Sequence, residues 1–210
     1  MTGTARARRI WERAARRYDR SMAFWERVAF AAHRGWLCGL ATGHTLEVAI
    51  GTGVNIDRYP AAVRLTGFDL SHGMLRNARA RAAAVGRTPA LIQGDVRDLP
   101  FADASFDTVV CTLGLCGVPD PPAALREMGR VLVPGGRLLL LDHVVSTNAA
   151  VRGLQRLMET VTGRLAGEYF TRRPALLLPS AGFVVREQAR FGAGLVERIH
   201  AVKVDAGALP

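Results

Sequence analysis

The sequence predicts an α/β fold built on a doubly wound, mostly parallel seven-stranded sheet with an antiparallel hairpin at its C-terminal end. Three observations lead there. Short Val-, Leu- and Ile-rich runs alternate with helical patterns between residues 45 and 144. Such runs, hydrophobic at nearly every position, belong to strands covered on both faces. A glycine-rich turn, "GTG" at 51–53, follows the first run directly, and "GAG" at 192–194 joins the last two runs too closely for a parallel crossover.

In chain order, residues 5–34 read as helical, with Trp11, Ala14, Ala15, Tyr18, Met22 and Trp25 making one apolar stripe. Arg8, Arg9, Arg13, Arg16 and Arg20 occupy the opposite face, and "ATGH" at 41–44 ends the segment. Strands are expected at 45–50, 64–69, 89–93, 106–112 and 137–144, with helices near 55–62, 72–85 and 121–132. Beyond 145 the spacing predicts a long helix at 149–166, then strands at 183–191 and 195–204 that pair as a hairpin on one sheet edge. The whole of 1–210 reads as one domain: a helical lid (1–40), a core (41–145), a substrate-facing insertion (146–180) and the hairpin (181–210).

The formal charge is +10, but Lys203 is the single lysine, an arginine bias that a GC-rich genome produces without selection for a polyanion. Residues 6–20 are the exception, with seven Arg against two acids. No apolar run approaches the ~20 residues that span a bilayer. The N-terminus also lacks a secretory h-region, so a cytoplasmic protein is expected. Cys38, Cys111 and Cys116 are odd in number and lack His at metal-ligand spacing, which predicts reduced thiols and no metal site. The Arg cluster has no interleaved aromatic platform, so nucleic acid is not expected as a partner.

The loop at 49–55 excludes two ligands. A G-x-G-x-x-G frame from Gly51 needs glycine where Ile56 stands, and a frame from Ala49 needs it where Val54 stands. The phosphate-cradling G-x-x-x-x-G-K-[ST] loop is also missing. What fits is acid-x-small-x-Gly-x-Gly, as Glu47, Ala49, Gly51 and Gly53, with Asp69 closing the next strand 18 residues after Gly51. That second acid stands where a carboxylate takes a ribose. The helix expected after the loop offers its positive end to an anion. A ligand with adenosine at one end, a carboxylate at the other and no phosphates satisfies both requirements, and S-adenosyl-L-methionine is one.

These residues lie in four pieces, "LEVAIGTG", "GFDLSHGML", "GDVRDLPFADASFDTVV" and "REMGRVLVPGGRLLLLDHV". In that order and spacing they resemble the class I S-adenosylmethionine-dependent methyltransferases, over roughly residues 40–145. The chain is most similar to the group holding ubiquinone/menaquinone C-methyltransferases, bacterial phosphatidylethanolamine N-methyltransferases and methyltransferase-like thiol methylators. The resemblance implies a Rossmann-like fold, S-adenosyl-L-methionine as cofactor and S-adenosyl-L-homocysteine as product. It also implies that Gly51 and Gly53 admit the methionine moiety, Ala49 stands in a position often held by glycine, and Glu47 bonds near the amino group. Asp69 would hold the ribose, Leu70 and Met74 would flank the adenine, Asp95 would accept from its amine, and Val96 would pack on the ring. Thr112 and Leu113 would present backbone carbonyls to the ammonium.

Methyl transfer from a sulfonium needs an in-line nucleophile and exclusion of water. Where the acceptor must lose a proton, His143 is the candidate base, because "LLLLDH" places it at the carboxyl end of the fifth strand, with Asp142 beside it. Its competing reading is a bond to the neighbouring loop. Tyr18 is the third catalytic candidate, since the resemblance implies that its "YD" lies on a helix that lids the cofactor; packing is its alternative. Cys116 reads as an apolar lining residue, and Glu168 and Tyr169 are expected to reach the pocket from the insertion.

So small a core suits a small-molecule or lipid-like acceptor: an apolar thiol, amine, phenol or quinone. The alternatives are a phospholipid N-methyltransferase lying on a membrane through its Arg-rich N-terminal helix, a cofactor-binding protein with non-methylating chemistry, and, ranked last, a nucleic-acid methyltransferase. The acceptor atom and oligomeric state stay open.

Overall fold

The computed structural model describes residues 3–165 and 169–204. The segment expected as one helix is divided into α1 (Gly3–Ala14), α2 (Tyr18–Trp25) and α3 (Ala31–Gly39). A turn at 15–17 separates the first two, and a π-helical turn, Glu26–Phe30, separates the last two. The expected stripe holds in part: Ala15 is buried and Trp11, Tyr18 and Met22 are half-buried, but Trp25, one turn further on, is 55% exposed.

Seven strands form one sheet in the order β3-β2-β1-β4-β5-β7-β6. They are β1 (His44–Val48), β2 (Arg64–Asp69), β3 (Ala90–Gln93), β4 (Phe106–Thr112), β5 (Leu132–His143), β6 (Phe183–Phe191) and β7 (Val196–Lys203). The first five run parallel, while β7 pairs antiparallel with both β5 and β6, as the short link between the last two requires. β5 starts at Leu132, ahead of the expected 137, because a bulge opposite Phe106–Thr108 keeps "LVPGG" in the ladder. Gly135, at φ 71, permits that bulge, and a Cβ on Gly136 would stand 2.8 Å from the Val133 carbonyl.

The period-2 alternation of β5 divides the core between the two faces. Leu138 and Leu140 pack with Val109, Leu125 and Met128 under α5 (Pro121–Val131), while Leu139 and Leu141 pack with Val110, Leu37 and Leu75 under α3 and α4 (His72–Ala84). Each such Leu contributes about 1.5–3 kcal/mol by leaving water. Helix starts are fixed by side chains: Ser71 Oγ accepts from Met74 N, and Asp120 accepts from Ala123 N with Pro121 and Pro122 opening the first turn. α6 (Ala149–Leu165) follows β5, as its pattern predicts.

One expected helix does not form. Between 55 and 62 there is only the 3-10 turn Ile56–Arg58, because Tyr59, next to Pro60, is extended at φ −72 and ψ 141. β1 has β2 on one side and β4 on the other, so the strand order reverses at this point. A reversal of this kind leaves a crevice above the carboxyl end of the first strand. The loop 49–55 lies there.

Candidate functional site

The loop after β1 is built from left-handed residues: Ala49 at φ 52, Gly51 at φ 57 and Gly53 at φ 78. A Cβ on Gly51 would meet nothing nearer than the Ala49 carbonyl at 3.9 Å, so conformation, not crowding, calls for glycine there. Gly53 is different, since its Cβ would come within 2.5 Å of Ile56 Cδ1 and 3.1 Å of the Ala78 backbone. It brings the loop onto α4.

Asp69, at the end of β2, closes this loop from the side. Gly51 N donates to its Oδ2 at 2.9 Å and Ser71 N to its Oδ1 at 2.8 Å. Burial pushes the carboxyl up to about 6, against the pull of those two N–H groups.

A cavity opens above the strand ends, and of the expected cofactor residues it is lined by Ala49, Gly51, Asp69, Leu70, Met74, Asp95, Val96, Thr112 and Leu113. Phe68 and Val118 extend its apolar wall, and Trp11 and Tyr18 reach it from the N-terminal helices. Two of these side chains are already engaged. Asp95 accepts from Arg97, which holds its carboxyl below the ordinary range, and from Thr4 Oγ1 at 3.1 Å. Thr112 Oγ1 accepts from Arg34 and Asn55, while Leu113, at φ 52, donates its N–H to the Leu141 carbonyl at 2.7 Å.

Glu47, Gly53, Asp142 and His143 are not on the cavity wall. Glu47 is 1% exposed, with Asn55 Nδ2 donating to it at 2.6 Å and the Tyr59 hydroxyl at 2.9 Å, and burial pushes its carboxyl up to about 7. Side chains of its own layer take up both oxygens. Its connection to the cavity runs through Asn55, whose Nδ2 also reaches Thr112 Oγ1.

Sequence reasoning missed Arg34. It is 5% exposed, yet it lines the cavity. Its guanidinium donates to Thr112 Oγ1 at 2.6 Å, Asn55 Oδ1 at 3.1 Å and Glu26 Oε2 at 2.9 Å. This is a fixed positive charge beside the loop, in place of the helix end that the 3-10 turn fails to supply. The signal was present: Arg34 shares the inward face of its helix with Leu37 and Cys38, and an arginine so placed requires buried partners.

The N-terminal helices beside the cavity are held by polar contacts. Glu12 accepts from Ser71 Oγ at 2.8 Å and Gly73 N at 2.9 Å, and the Gly73 bond holds its carboxyl below the ordinary range. Asp19 takes Thr52 Oγ1 at 2.6 Å and Arg81, and Asn77 Nδ2 donates to the Ala15 carbonyl at 2.8 Å. α1 itself buries no residue.

Beside the cavity, the loop 113–118 and the end of β5 bring together donor atoms of Cys116, Asp142 and His143, all within 4.8 Å of one another. Cys116 N donates to Asp142 Oδ2 at 3.2 Å, and His143 Nδ1 lies 3.5 Å from Asp142 Oδ1. Burial raises the Asp142 carboxyl. The His143 ring rests on Phe170, with centroids 4.7 Å apart, and its Nε2 is buried without a hydrogen-bond partner among the described residues. Arg172 adjoins this group, donating to the Leu115 and Cys116 carbonyls and lying over the Tyr169 ring at 4.2 Å. Glu168 lies outside the described residues.

A family profile described as "Methyltransferase domain" matches residues 46–140. The chain is 36% identical over 116 residues to phosphatidylethanolamine N-methyltransferase of Cereibacter sphaeroides, covering 54% of this chain and 57% of that one. It is 34% identical over 145 residues to demethylmenaquinone methyltransferase of Staphylococcus aureus, covering 64% and 58%. The chain thus spans less than two thirds of the length of these curated relatives. A candidate methyltransferase of Bacillus halodurans has the same fold at TM-score 0.72 and 22% identity, covering 83% of this chain and 98% of that one.

Proposed function

Because this chain belongs to the class I S-adenosylmethionine-dependent methyltransferases, we propose that it transfers the methyl group of S-adenosyl-L-methionine to a small, apolar, lipid-like acceptor such as a quinone, thiol or amine. One observation carries the reading. Asp69, a ring of apolar side chains and the buried Arg34 line a single cavity at the strand-order reversal. β2 and β4 flank β1, so Asp69 and the Thr112–Arg34 pair stand on either side of the glycine loop.

The residues fit the cofactor. Asp69 Oδ2 accepts from Gly51 N and Oδ1 from Ser71 N, and the carboxylate has lone pairs left for ribose hydroxyls. Leu70, Met74 and Val96 offer an adenine its apolar faces, and Arg34 offers a carboxylate its counter-charge. Asp95 would take the adenine amine once Thr4 gives way.

When bound, the cofactor supplies an electrophilic methyl group on sulfur. The protein supplies position and dryness: Trp11 and Tyr18 line the cavity, and in this reading the Tyr18 hydroxyl meets the methionine end or the acceptor. For an acceptor that must lose a proton, His143 would serve as the base only where the acceptor reaches past the cavity wall to its buried Nε2. Asp142 faces its Nδ1, leaving Nε2 to take the proton. The relatives' names concern a phospholipid and a quinone, and that lipid-like class is extended here to this chain.

Incubation with methyl-labelled cofactor and a panel of quinols, thiols, amines and phospholipids tests the proposal. Label should pass to at least one apolar acceptor, and the product S-adenosyl-L-homocysteine should bind at the same site. Tight cofactor binding with no transfer to any of them would overturn it.

A further inference from the structure

The π-helical turn Glu26–Phe30 leaves the chain with an outward apolar knuckle. Phe24, Trp25 and Val28 are 58%, 55% and 57% exposed, while Phe30, at the end of the same turn, is buried. Phe24 and Trp25 meet edge to face, with centroids 5.4 Å apart and planes at 79°. Exposed apolar side chains placed singly need no explanation, but a preformed aromatic pair with an aliphatic neighbour does.

The charge around this knuckle has one sign. Arg16, Arg17, Arg20 and Arg27 are exposed. The two acids of the same stretch are committed elsewhere: Asp19 to Arg81 at 2.5 Å, and Glu26 to Arg34 at 2.9 Å and Arg58 at 3.7 Å. α6 repeats the arrangement. Leu154, Leu157, Met158 and Val161 are exposed at helical spacing with exposed Arg156 among them, while Glu159 accepts from Thr171 N and Oγ1. No helix among the described residues is long and apolar enough to cross a membrane.

From these features we propose that Phe24, Trp25 and Val28 form a membrane-docking knuckle that inserts into the interface of an anionic bilayer, with Arg20 and Arg27 bound to its headgroups. Aromatic rings with cationic neighbours suit the level of the headgroups, where the apolar ring leaves water and the cation meets phosphate. A protein partner would also cover the apolar atoms. The uniform positive rim, on a chain of net charge +10, selects an anionic surface. α2 carries Tyr18 at the cavity and Trp25 at the knuckle, so the surface that docks is continuous with the lid. This docking does not depend on methyl transfer or on the acceptor's identity.

The test is sedimentation of the whole chain with vesicles of phosphatidylglycerol mixed into phosphatidylcholine, against phosphatidylcholine alone. Binding should favour the anionic vesicles, weaken with added salt, and fall about tenfold or more both in Phe24→Ser/Trp25→Ser and in Arg20→Glu/Arg27→Glu. Brominated acyl chains should quench tryptophan emission on binding, and Trp25→Phe should remove that quenching. Cofactor affinity measured by calorimetry should stay unchanged in these variants, which separates loss of docking from loss of the fold or of the cofactor site. Equal binding by Phe24→Ser/Trp25→Ser and the wild type would overturn insertion. So would absence of sedimentation, or a dimer in solution that the same double variant turns into monomer.

Discussion

Ala49 and Gly114 share one space: a Cβ on Gly114 would stand 2.8 Å from the Ala49 methyl. Only one of the two can carry that carbon. Ala49 holds it at φ 52, where a side chain costs roughly 1–2 kcal/mol. Gly114→Ala should therefore destabilise the wild type by about 1–3 kcal/mol. In the Ala49→Gly background the cost should fall but persist, because Cys111 Sγ also lies 2.8 Å from the added carbon. Urea unfolding of the four members of this cycle gives the coupling.

Asp69 should give the proposed cofactor site a pH dependence. Its carboxyl is pushed up to about 6, and ribose hydroxyls donate best to the ionised form. Affinity should hold near pH 7.5 and weaken as pH falls through 6, by about tenfold at pH 5 if only the ionised form binds. Asp69→Ala should cost about 1.5–3 kcal/mol of binding at pH 7.5 and abolish that dependence. Calorimetric titration at both pH values checks this, and an unchanged Kd would remove Asp69 from the ribose site.

Arg34 should discriminate between ligands. Arg34→Met is expected to weaken S-adenosyl-L-homocysteine binding by about 1.5–3 kcal/mol, through loss of a charge-assisted contact to the carboxylate. It should leave methylthioadenosine, which lacks the amino-acid end, close to its wild-type affinity. An equal loss for both ligands would mean that the substitution disturbs the loop through Asn55 and Thr112.

Glu47 should limit stability in alkaline conditions. Its carboxyl, pushed by burial to about 7 from the ordinary 4.5, binds its proton more tightly folded than unfolded. The resulting stability is full below pH 4.5 and is lost as pH rises through 7, for a total of about 3 kcal/mol. Glu47→Gln, with Tyr59 free to turn its hydroxyl, should flatten that slope. Unfolding curves at pH 5 and pH 8 measure it.

The sheet was legible because its signals are local. The runs that became β2, β4 and β6 match their expected bounds, and "GAG" alone dictated the antiparallel edge. Where tertiary context decides, pattern reading failed. Pro60 stopped the helix expected near 55–62, and the turn at 15–17 divided a segment that reads as helical throughout.

The same division runs through the site. Ala49, Gly51 and Asp69 lie on one loop and one strand end and were found from spacing. Arg34 was not: its place on the inward helix face was a local signal, but no local pattern names the distant partner, Thr112, that it meets across 78 residues. Glu47 shows the converse: the motif names it, but Asn55 and Tyr59 take its oxygens and it stands off the cavity wall.

The polar fastening of the lid has a kinetic meaning. No side chain of α1 is fully buried, so the work of detaching it is that of exposing half-buried groups such as Trp11 and breaking a few water-competed bonds at Glu12, Asn77 and Thr4. Amide protons of residues 3–14 should then exchange by a local opening, far faster than those of β4 or β5. A ligand entering beneath Trp11 would wait on that opening, and its association rate would report how often the helix lifts rather than how fast the ligand diffuses.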